Sequence, residues 1–320
     1  MLVVGIDENG LGPLLGPLVT TAVCIELGRY RAPRLAELAR EVGIDDSKET
    51  AAFGRMAAAE GVALAVLESL LGRAPTHVDD LLETLLLDAP VGLRARCPEA
   101  SRPQCWSAAL PLPCFGGDLA EGRRTLQSLA KRGIHVRRAK SAVACTRLLN
   151  DRLALGQSRV ELDLELMERL LLDARSALAC ELLAICGMVG GIRNVVDKLR
   201  HIPRTDVVPR RGREGALVFE VAQLGEVRFE IDADRHHFPV ALASMIGKYV
   251  RELWMSRHNR FYQAADQRLA DVSGYHDPLT REFVRLSADL RKLLGIDDAC
   301  FVRDSAKTQQ NRLQLPLFTE

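Results

Sequence analysis

The sequence predicts an α/β fold in which a central mixed β-sheet is flanked by helices. Two neighbouring apolar stretches, 2–6 and 17–27, are rich in β-branched residues and are typical of buried strands. Two further β-rich runs, 216–221 and 226–233, are joined by a Leu-Gly pair that favours a hairpin. Long segments with apolar residues at helical spacing lie between and after these strands. We expect the first two strands to pair antiparallel.

The first predicted strand ends in two acids and a glycine turn. Residues 2–6 lead directly into Asp7 and Glu8, and Gly10 and Gly12 follow. Consecutive carboxylates at the end of a buried strand are costly unless they are paired or bind a metal. The glycines allow a ligand to approach the backbone more closely than a Cβ atom would permit. The stretch therefore predicts a metal-binding carboxylate pair at one edge of the sheet, beside a turn that follows a phosphate backbone.

Residues 7–17, DENGLGPLLGP, resemble the opening signature of the type 2 ribonucleases H (RNases HII and HIII), Asp-Glu-x-Gly-Arg-Gly-Pro-x-x-Gly-Pro. Leu11 stands where that signature usually has arginine. The resemblance implies a ribonuclease H-like fold and two-metal cleavage of RNA joined to or paired with DNA. It assigns catalysis and metal binding to Asp7 and Glu8, and substrate contact to Gly10 and Gly12. Carboxylate oxygens favour Mg²⁺ or Mn²⁺.

The next segments predict a helix and a second contact with substrate. Pro33 is expected to open a short helix that ends near Val42, because proline suits the first helical turn. An Asp-Ser-Lys sequence then precedes a helix that begins near Thr50. The resemblance implies that Ser47 and Lys48 touch the substrate backbone, while a helix cap followed by a surface lysine is the alternative.

The middle of the chain carries less information about chemistry. Residues from about 74 to 135 are predicted to be a family-variable insertion, ending in a helix over 119–131. A strand is expected over 133–146, and a long amphipathic helix over 160–185. The acids of that helix (Glu161, Asp163 and Glu165) are interpreted as a solvated face.

The region that should carry the third catalytic acid contains none. The resemblance implies a strand that ends in an acid near residues 184–191, but the sequence there is AICGMVGG. Gly187 is the expected equivalent, and Gly190 is the alternative alignment. This departure bears directly on whether the site can catalyse cleavage.

The hairpin leads to a second group of acids. On a strand, Glu230, Asp232 and Asp234 would share one face, and three acids on one face repel each other unless cations or solvent surround them. A helix is expected from Pro239, with small residues in its first turns. The resemblance makes Asp234 the fourth catalytic acid and metal ligand. Asp232 is an additional metal ligand that would partly compensate for Gly187, and the adjacent histidines 236 and 237 are interpreted as polar loop residues or supporting donors.

The C-terminal region supplies two further predicted contacts. The resemblance implies that Tyr275, after a glycine, stacks on a sugar beside the cut site; a core position is the alternative. A last helix is expected over 278–294. Residues 305–320 are predicted to be a flexible tail after one ribonuclease H-like domain, 1–304. Its end resembles the bacterial sliding-clamp-binding pentapeptide, with contacts from Gln314, Leu315, Leu317 and Phe318, although the tail could instead fold back on the body.

Composition narrows the class of protein. The net charge is +1, and no apolar run reaches the ~18 residues needed to span a membrane. None of the eight cysteines forms a Cys-x-x-Cys pair, so we expect reduced core thiols. With no secretory signal evident, a cytoplasmic protein without a membrane partner is predicted.

These observations predict an endoribonuclease that cleaves RNA–DNA hybrids or ribonucleotides embedded in duplex DNA, recruited by a sliding clamp. The alternative is a catalytically impaired relative that binds nucleic acid and the clamp. A third interpretation is an unrelated nuclease or transferase of ribonuclease H fold that acts on DNA.

Overall fold

A computed structural model describes residues 1–44, 55–98, 104–106, 108–188 and 194–305. Seven strands form one sheet: β1 Leu2–Asn9, β2 Leu18–Glu26, β3 His135–Ala144, β4 Leu182–Gly187, β5 Val207–Arg210, β6 Ala216–Val221 and β7 Gly225–Glu230. The central mixed sheet with flanking helices confirms the predicted fold class.

The α-helices in the described residues lie between and after the strands. They are α1 Ala32–Glu41, α2 Ala57–Leu71, α3 Val78–Leu85, α4 Pro90–Arg94, α5 Leu119–Lys131, α6 Thr146–Ala154, α7 Arg159–Leu178, α8 Ala233–His236, α9 Phe238–Gln263, α10 Pro278–Leu286, α11 Ala288–Leu293 and α12 Asp298–Phe301. None of the helices in this part of the chain is both long and apolar enough to cross a membrane.

The strand order places the end of β1 in the interior of the sheet. The order is β3-β2-β1-β4-β7-β6-β5, in which β1 is antiparallel to β2, as predicted, and parallel to β4. Strand β7 is parallel to β4. The carboxyl ends of β1, β4 and β7 therefore meet at one end of the sheet, and the paired acids lie there on an interior strand rather than on an edge strand.

Two helices cover the two faces of β1. Helix α9 packs so closely that a Cβ atom on Gly5 would lie 2.1 Å from the Pro239 carbonyl carbon, and one on Gly247 would lie 2.5 Å from Asn9 Nδ2. The small residues in its first turns thus allow the helix to approach the strand backbone, as the sequence suggested. On the opposite face, leucines of α7 pack with Val4 and Ile6. Side chains of β1 alternate between these two layers.

Several predicted boundaries are wrong. The helix expected over 160–185 ends at Leu178, because Ala179 takes a left-handed conformation (φ 52°) and the backbone then enters β4. The strand expected over 226–233 ends at Glu230, and Asp232, with φ 50°, precedes the short helix α8. The helix expected over 278–294 is divided in two at Ser287.

The segment predicted as an insertion contacts two helices of the core, α2 and α9. The Glu60 carboxylate, on α2, accepts hydrogen bonds from the backbone N–H groups of Cys114, Phe115 and Gly117 at 2.6–2.8 Å. Trp106 meets Trp254 of α9 edge to face. These contacts fasten the segment to the same core as the sheet; its family-variable character stays a prediction.

Candidate active site

The carboxyl ends of β1 and β4 and the turn that follows β7 border a cavity of about 370 Å³. Four carboxylates and one ammonium group are among the described residues that line it: Asp7, Glu8, Asp232, Asp234 and Lys248. Gly10, Gly187, Ser244 and Tyr275 also contribute to the wall. Five of the predicted site residues with acidic or aromatic side chains are thus brought together from distant parts of the chain.

Asp7 faces helix α9. Burial, the neighbouring Glu8 and the charge of Asp234 raise the pKa of Asp7 well above its ordinary range. A hydrogen bond with the Ser244 side chain and the charge of Lys248 act in the opposite direction. Ser244 and Lys248 are four residues apart on the helix, so they present their side chains on one face. Helix α9 therefore orients the Asp7 carboxyl group, but Ser244 and Lys248 do not offset the effects that raise its pKa.

Glu8 faces the opposite layer, as strand alternation requires. Burial and the charge of Asp163 on α7 raise the pKa of Glu8 to about 8. Asp163 is fully buried, and its Oδ1 accepts a hydrogen bond of 2.6 Å from Thr20 Oγ1. The interpretation of the α7 acids as a solvated face is therefore wrong for Asp163, and Glu165 is also buried. The carboxylates of Asp7 and Glu8 both reach the cavity wall because β1 ends close by, at Asn9.

The second group of acids lies on a turn and not on a strand face. Because β7 ends at Glu230, Asp232 and Asp234 do not alternate with it as predicted. Asp234 lies in α8 and is half-buried, whereas Asp232 is exposed at the start of that helix. The turn nevertheless brings both carboxylates to the cavity.

A buried polar chain closes the base of that turn. Tyr30 Oη lies 2.6 Å from His237 Nδ1, and His237 Nε2 lies 2.9 Å from Glu230 Oε2. Burial lowers the pKa of His237, so a neutral ring would accept from Tyr30 and donate to Glu230. Burial opposes ionisation of Glu230, but hydrogen bonds from His237 and Arg213 outweigh it and lower its pKa. His237 is thus a buried structural residue that joins the two ends of the acidic turn.

Gly187 occupies the position from which a third acid would face the pair. A Cβ atom built there would lie 2.8 Å from Asp7 Oδ1 and 3.6 Å from Glu8 Oε2. This geometry matches the alignment that places the missing acid at Gly187. The alternative at Gly190 falls outside the described residues.

The glycine turn and the aromatic residue meet through an arginine. Gly10 has φ 88° and lines the cavity, and a Cβ atom there would lie 2.7 Å from Arg251 Nε. The Arg251 guanidinium lies 5.0 Å from the ring centroid of Tyr275, which is 48% exposed. Tyr275 is therefore not a core residue. Gly12 is exposed and does not line the cavity.

The donor set fits a hard divalent cation in chemistry. Carboxylates of Asp7, Glu8, Asp232 and Asp234 line a cavity whose only cationic lining residue among the described residues is Lys248, so an anionic substrate would be repelled without added positive charge. In the part of the chain that the structure describes, however, no three acidic, histidine or cysteine side chains form a ready coordination group. The acids share a cavity but not a preformed cage.

Sequence reasoning missed three features of this site. Asp163 falls in the apolar stripe of α7, with Leu166, Met167 and Leu170 three, four and seven residues later, and that spacing could have revealed its burial. Arg251 could have been found because it follows Ser244 and Lys248 on one face of α9, at spacings of four and three residues. His237 was named only as a polar loop residue or supporting donor, and no pattern in the sequence indicated its burial or its contacts with Tyr30 and Glu230. Ser47, Lys48 and the predicted clamp-contacting residues of the tail lie outside the described residues.

The fold is a mixed seven-stranded sheet with flanking helices, and its cavity holds acids from the end of β1 and from the turn after β7. The chain is similar to solved structures of type 2 ribonucleases H, the family that its opening motif resembles. A structure of the PCNA:RNase HII complex from Archaeoglobus fulgidus matches at 19% identity and TM-score 0.43, over 100% of this chain and 98% of the other.

Two further structures give the same result. Ribonuclease H2 from Pyrococcus horikoshii OT3 matches at 16% identity and TM-score 0.44, over 99% of this chain and 100% of the other. Bst-RNase HIII in complex with Mn²⁺ matches at 15% identity and TM-score 0.48, over 98% of this chain and 70% of the other. No protein-family model matches the chain. The functional proposals below therefore rest on the residues of this chain.

Proposed function

We propose that this protein is a divalent-cation-dependent endoribonuclease that cleaves RNA in RNA–DNA hybrids or ribonucleotides embedded in duplex DNA. The observation that supports it is the convergence of Asp7, Glu8 and Asp234 on one cavity, with the exposed ring of Tyr275 at its wall. These residues come from β1, from α8 and from the loop before α10, so the fold and not sequence proximity brings them together. A carboxylate cluster beside an exposed aromatic ring suits phosphodiester chemistry on a nucleic acid.

Each group has a defined task in this proposal. Asp7, Glu8 and Asp234, with Asp232 in addition, would hold Mg²⁺ or Mn²⁺. When bound, such cations activate water and stabilise the leaving oxygen of a phosphodiester. Ser244 orients the Asp7 carboxylate through its hydrogen bond.

The substrate contacts complete the proposal. The Tyr275 ring stacks on a sugar or base, and a cation–π contact with the Arg251 guanidinium positions the ring. Gly10 lines the cavity, and its backbone is a proposed contact with the nucleic acid; the space that a Cβ atom there would take is filled by Arg251. Gly12, Ser47 and Lys48 are proposed contacts with the substrate backbone on the strength of the sequence motifs alone.

A second candidate function is nucleic-acid binding without efficient cleavage. Gly187 removes one carboxylate from the place where it would face Asp7 and Glu8. With one acid fewer, a second cation would bind more weakly and chiefly through the substrate. Such a protein would bind RNA–DNA hybrids as a repair or regulatory factor.

Cleavage of two substrates separates these candidates. One is a DNA duplex that carries a single ribonucleotide, and the other is a full RNA–DNA hybrid, each tested with Mg²⁺ and with Mn²⁺. We expect the wild type to cut both substrates and the Asp7→Asn variant to cut neither. The variant is also the control for a contaminating nuclease, whose activity would persist in it. Binding of hybrid without cutting in either metal would favour the second candidate.

Recruitment is proposed from the tail. Gln314, Leu315, Leu317 and Phe318 have the pattern of a peptide that docks on a bacterial sliding clamp, with apolar anchors after a polar tether. The protein would then act in the cytoplasm during DNA replication or repair.

A further inference from the structure

Asp163 is an acid buried in an apolar helix layer. Its side chain is 0% exposed and is surrounded along α7 by buried leucines and Met167. Its Oδ1 accepts from Thr20 Oγ1, but its Oδ2 has no hydrogen-bond partner among the described residues. A buried carboxylate with one free oxygen is costly unless a proton or a cation compensates it. Core packing alone does not explain why an acid stands in this stripe.

The surroundings of Asp163 point to the cavity acids. Thr20 is the direct cross-strand partner of Glu8 in the β1–β2 ladder, so their side chains share the face that α7 covers. The hydroxyl that holds Asp163 is therefore next to Glu8. The charge of Asp163 acts on Glu8, and the charge of Asp7 acts on Asp163. The carboxylates of β1 and α7 thus form one electrostatic unit.

Gly187, which has no side chain, lies beside the same carboxylates of β1. A side chain at this position would point at Asp7 and Glu8 from β4, the strand next to β1. The preceding residue, Cys186, is buried and lies within electrostatic reach of both Asp163 and Asp7. Strand β4 therefore has no acid at Gly187, whereas the neighbouring helix α7 carries Asp163. Glu8, whose side chain has three rotatable torsions, links the cavity to Asp163.

We propose that Asp163 supplies, from helix α7, the additional carboxylate for divalent-cation binding that the strand lacks at Gly187. This inference rests on the proposed function and names a ligand of the same site. Asp163 acts together with Glu8, and Thr20 fixes the Asp163 carboxylate so that its free oxygen can serve the cation. The carboxylate count of the site is restored by a residue from a different element.

The test measures Mn²⁺ binding by titration calorimetry and Mn²⁺-induced thermal stabilisation, with cleavage of the single-ribonucleotide duplex beside them. We expect Asp163→Asn to weaken Mn²⁺ binding by about 10–100-fold. Adding Gly187→Asp to that variant should restore binding, because it returns a carboxylate to the site from β4. The matched control is Glu165→Gln on the same helix, a buried carboxylate bonded to Gln157 and Arg152, which should bind Mn²⁺ like the wild type.

The variants also separate two kinds of failure. Asp163→Asn removes an uncompensated buried charge, so it should fold with a melting temperature at least equal to that of the cation-free wild type. If it binds Mn²⁺ as tightly as the wild type while Asp7→Asn does not, Asp163 is no ligand and only this inference is overturned. If Asp7→Asn also leaves Mn²⁺ binding unchanged, the cavity is not the cation site and the proposed function is overturned with it.

Discussion

Gly187 and Asp7 face each other across the parallel pair β4 and β1, and a Cβ atom on Gly187 would lie 2.8 Å from Asp7 Oδ1. The obstacle is the far end of a side chain and not backbone, so a larger residue can be accommodated if Asp7 rotates. The position is thus open to a side chain but filled by none. A charged side chain at residue 187 would therefore interact directly with the Asp7 and Glu8 carboxylates.

Gly187→Asp should strengthen cation binding and weaken the cation-free protein. A carboxylate beside Asp7 and Glu8 adds a hard oxygen ligand, and we expect Mn²⁺ affinity to rise at least tenfold, about 1.4 kcal/mol. Without metal the added like charge should lower stability by about 1–3 kcal/mol. Calorimetric titration and urea unfolding measure the two effects. Gly187→Asn, of similar size but neutral, is the control, and equal effects from both variants would refute an electrostatic role.

Tyr275→Ala should weaken binding of an RNA–DNA hybrid by about 1–3 kcal/mol, the range for loss of one stacked ring. The ring is 48% exposed and contacts Arg251, so its removal should leave folding stability nearly unchanged. Fluorescence anisotropy with a labelled hybrid measures the change. Tyr275→Phe should retain the affinity.

The matched control for Tyr275 is Leu279→Ala, which removes another exposed apolar side chain from the same region. A loss of affinity in both variants would indicate a general effect on this surface and not stacking by Tyr275.

Strands β1, β2, β6 and β7 could be predicted because β-branched runs and a hairpin signal are local patterns, whereas β5, Val207–Arg210, was not predicted. The apolar run 17–27 predicted β2, observed over Leu18–Glu26, and the run 2–6 predicted β1 and its two acids. The end of β7 could not be predicted in the same way, since alternation continues through Asp234 in the sequence. The left-handed conformation of Asp232 breaks it, and the Glu230–His237 hydrogen bond closes the turn.

Burial of polar residues was the harder part of the site to predict. Asp163 carries the same charge as the half-buried Glu161 on the same helix, and only the packing of α7 on β1 and β2 distinguishes it. The buried chain from Tyr30 through His237 to Glu230 joins residues that are far apart in sequence. Such contacts arise from the tertiary fold, which local periodicity does not describe.

Truncation of residues 314–320 should abolish binding to a bacterial sliding clamp and leave cleavage of a short duplex unchanged. The pentapeptide places its apolar anchors at Leu315, Leu317 and Phe318 after a polar tether, remote in sequence from the cavity acids. Replacing Leu317 and Phe318 by alanine should cost at least about 2 kcal/mol of clamp affinity. Surface plasmon resonance on an immobilised clamp measures it, with Thr319→Ala as the control. Undiminished binding after truncation would exclude the tail as the docking segment.

The cation-free protein should lose stability as the pH rises from about 4 to about 8. In the folded state burial raises the pKa of Glu8 from 4.5 to about 8 and that of Asp163 from 3.8 to about 7. A carboxyl whose pKa is raised on folding holds its proton more tightly in the folded state, so ionisation across this window favours unfolding. The loss is complete above the folded-state values, and we expect at least about 1 kcal/mol.

Divalent cations should reverse that loss, and most strongly at the alkaline end. Mn²⁺ competes with protons for the same oxygens, so its stabilising effect should be larger near pH 8 than near pH 5.5. Urea unfolding in EDTA and in Mn²⁺ at both values measures the difference. The Glu8→Gln variant should show a flatter profile and a smaller response to Mn²⁺, because it can neither ionise nor bind a cation with full charge. A wild-type profile that is flat in EDTA would show that these carboxylates are not held protonated by the fold.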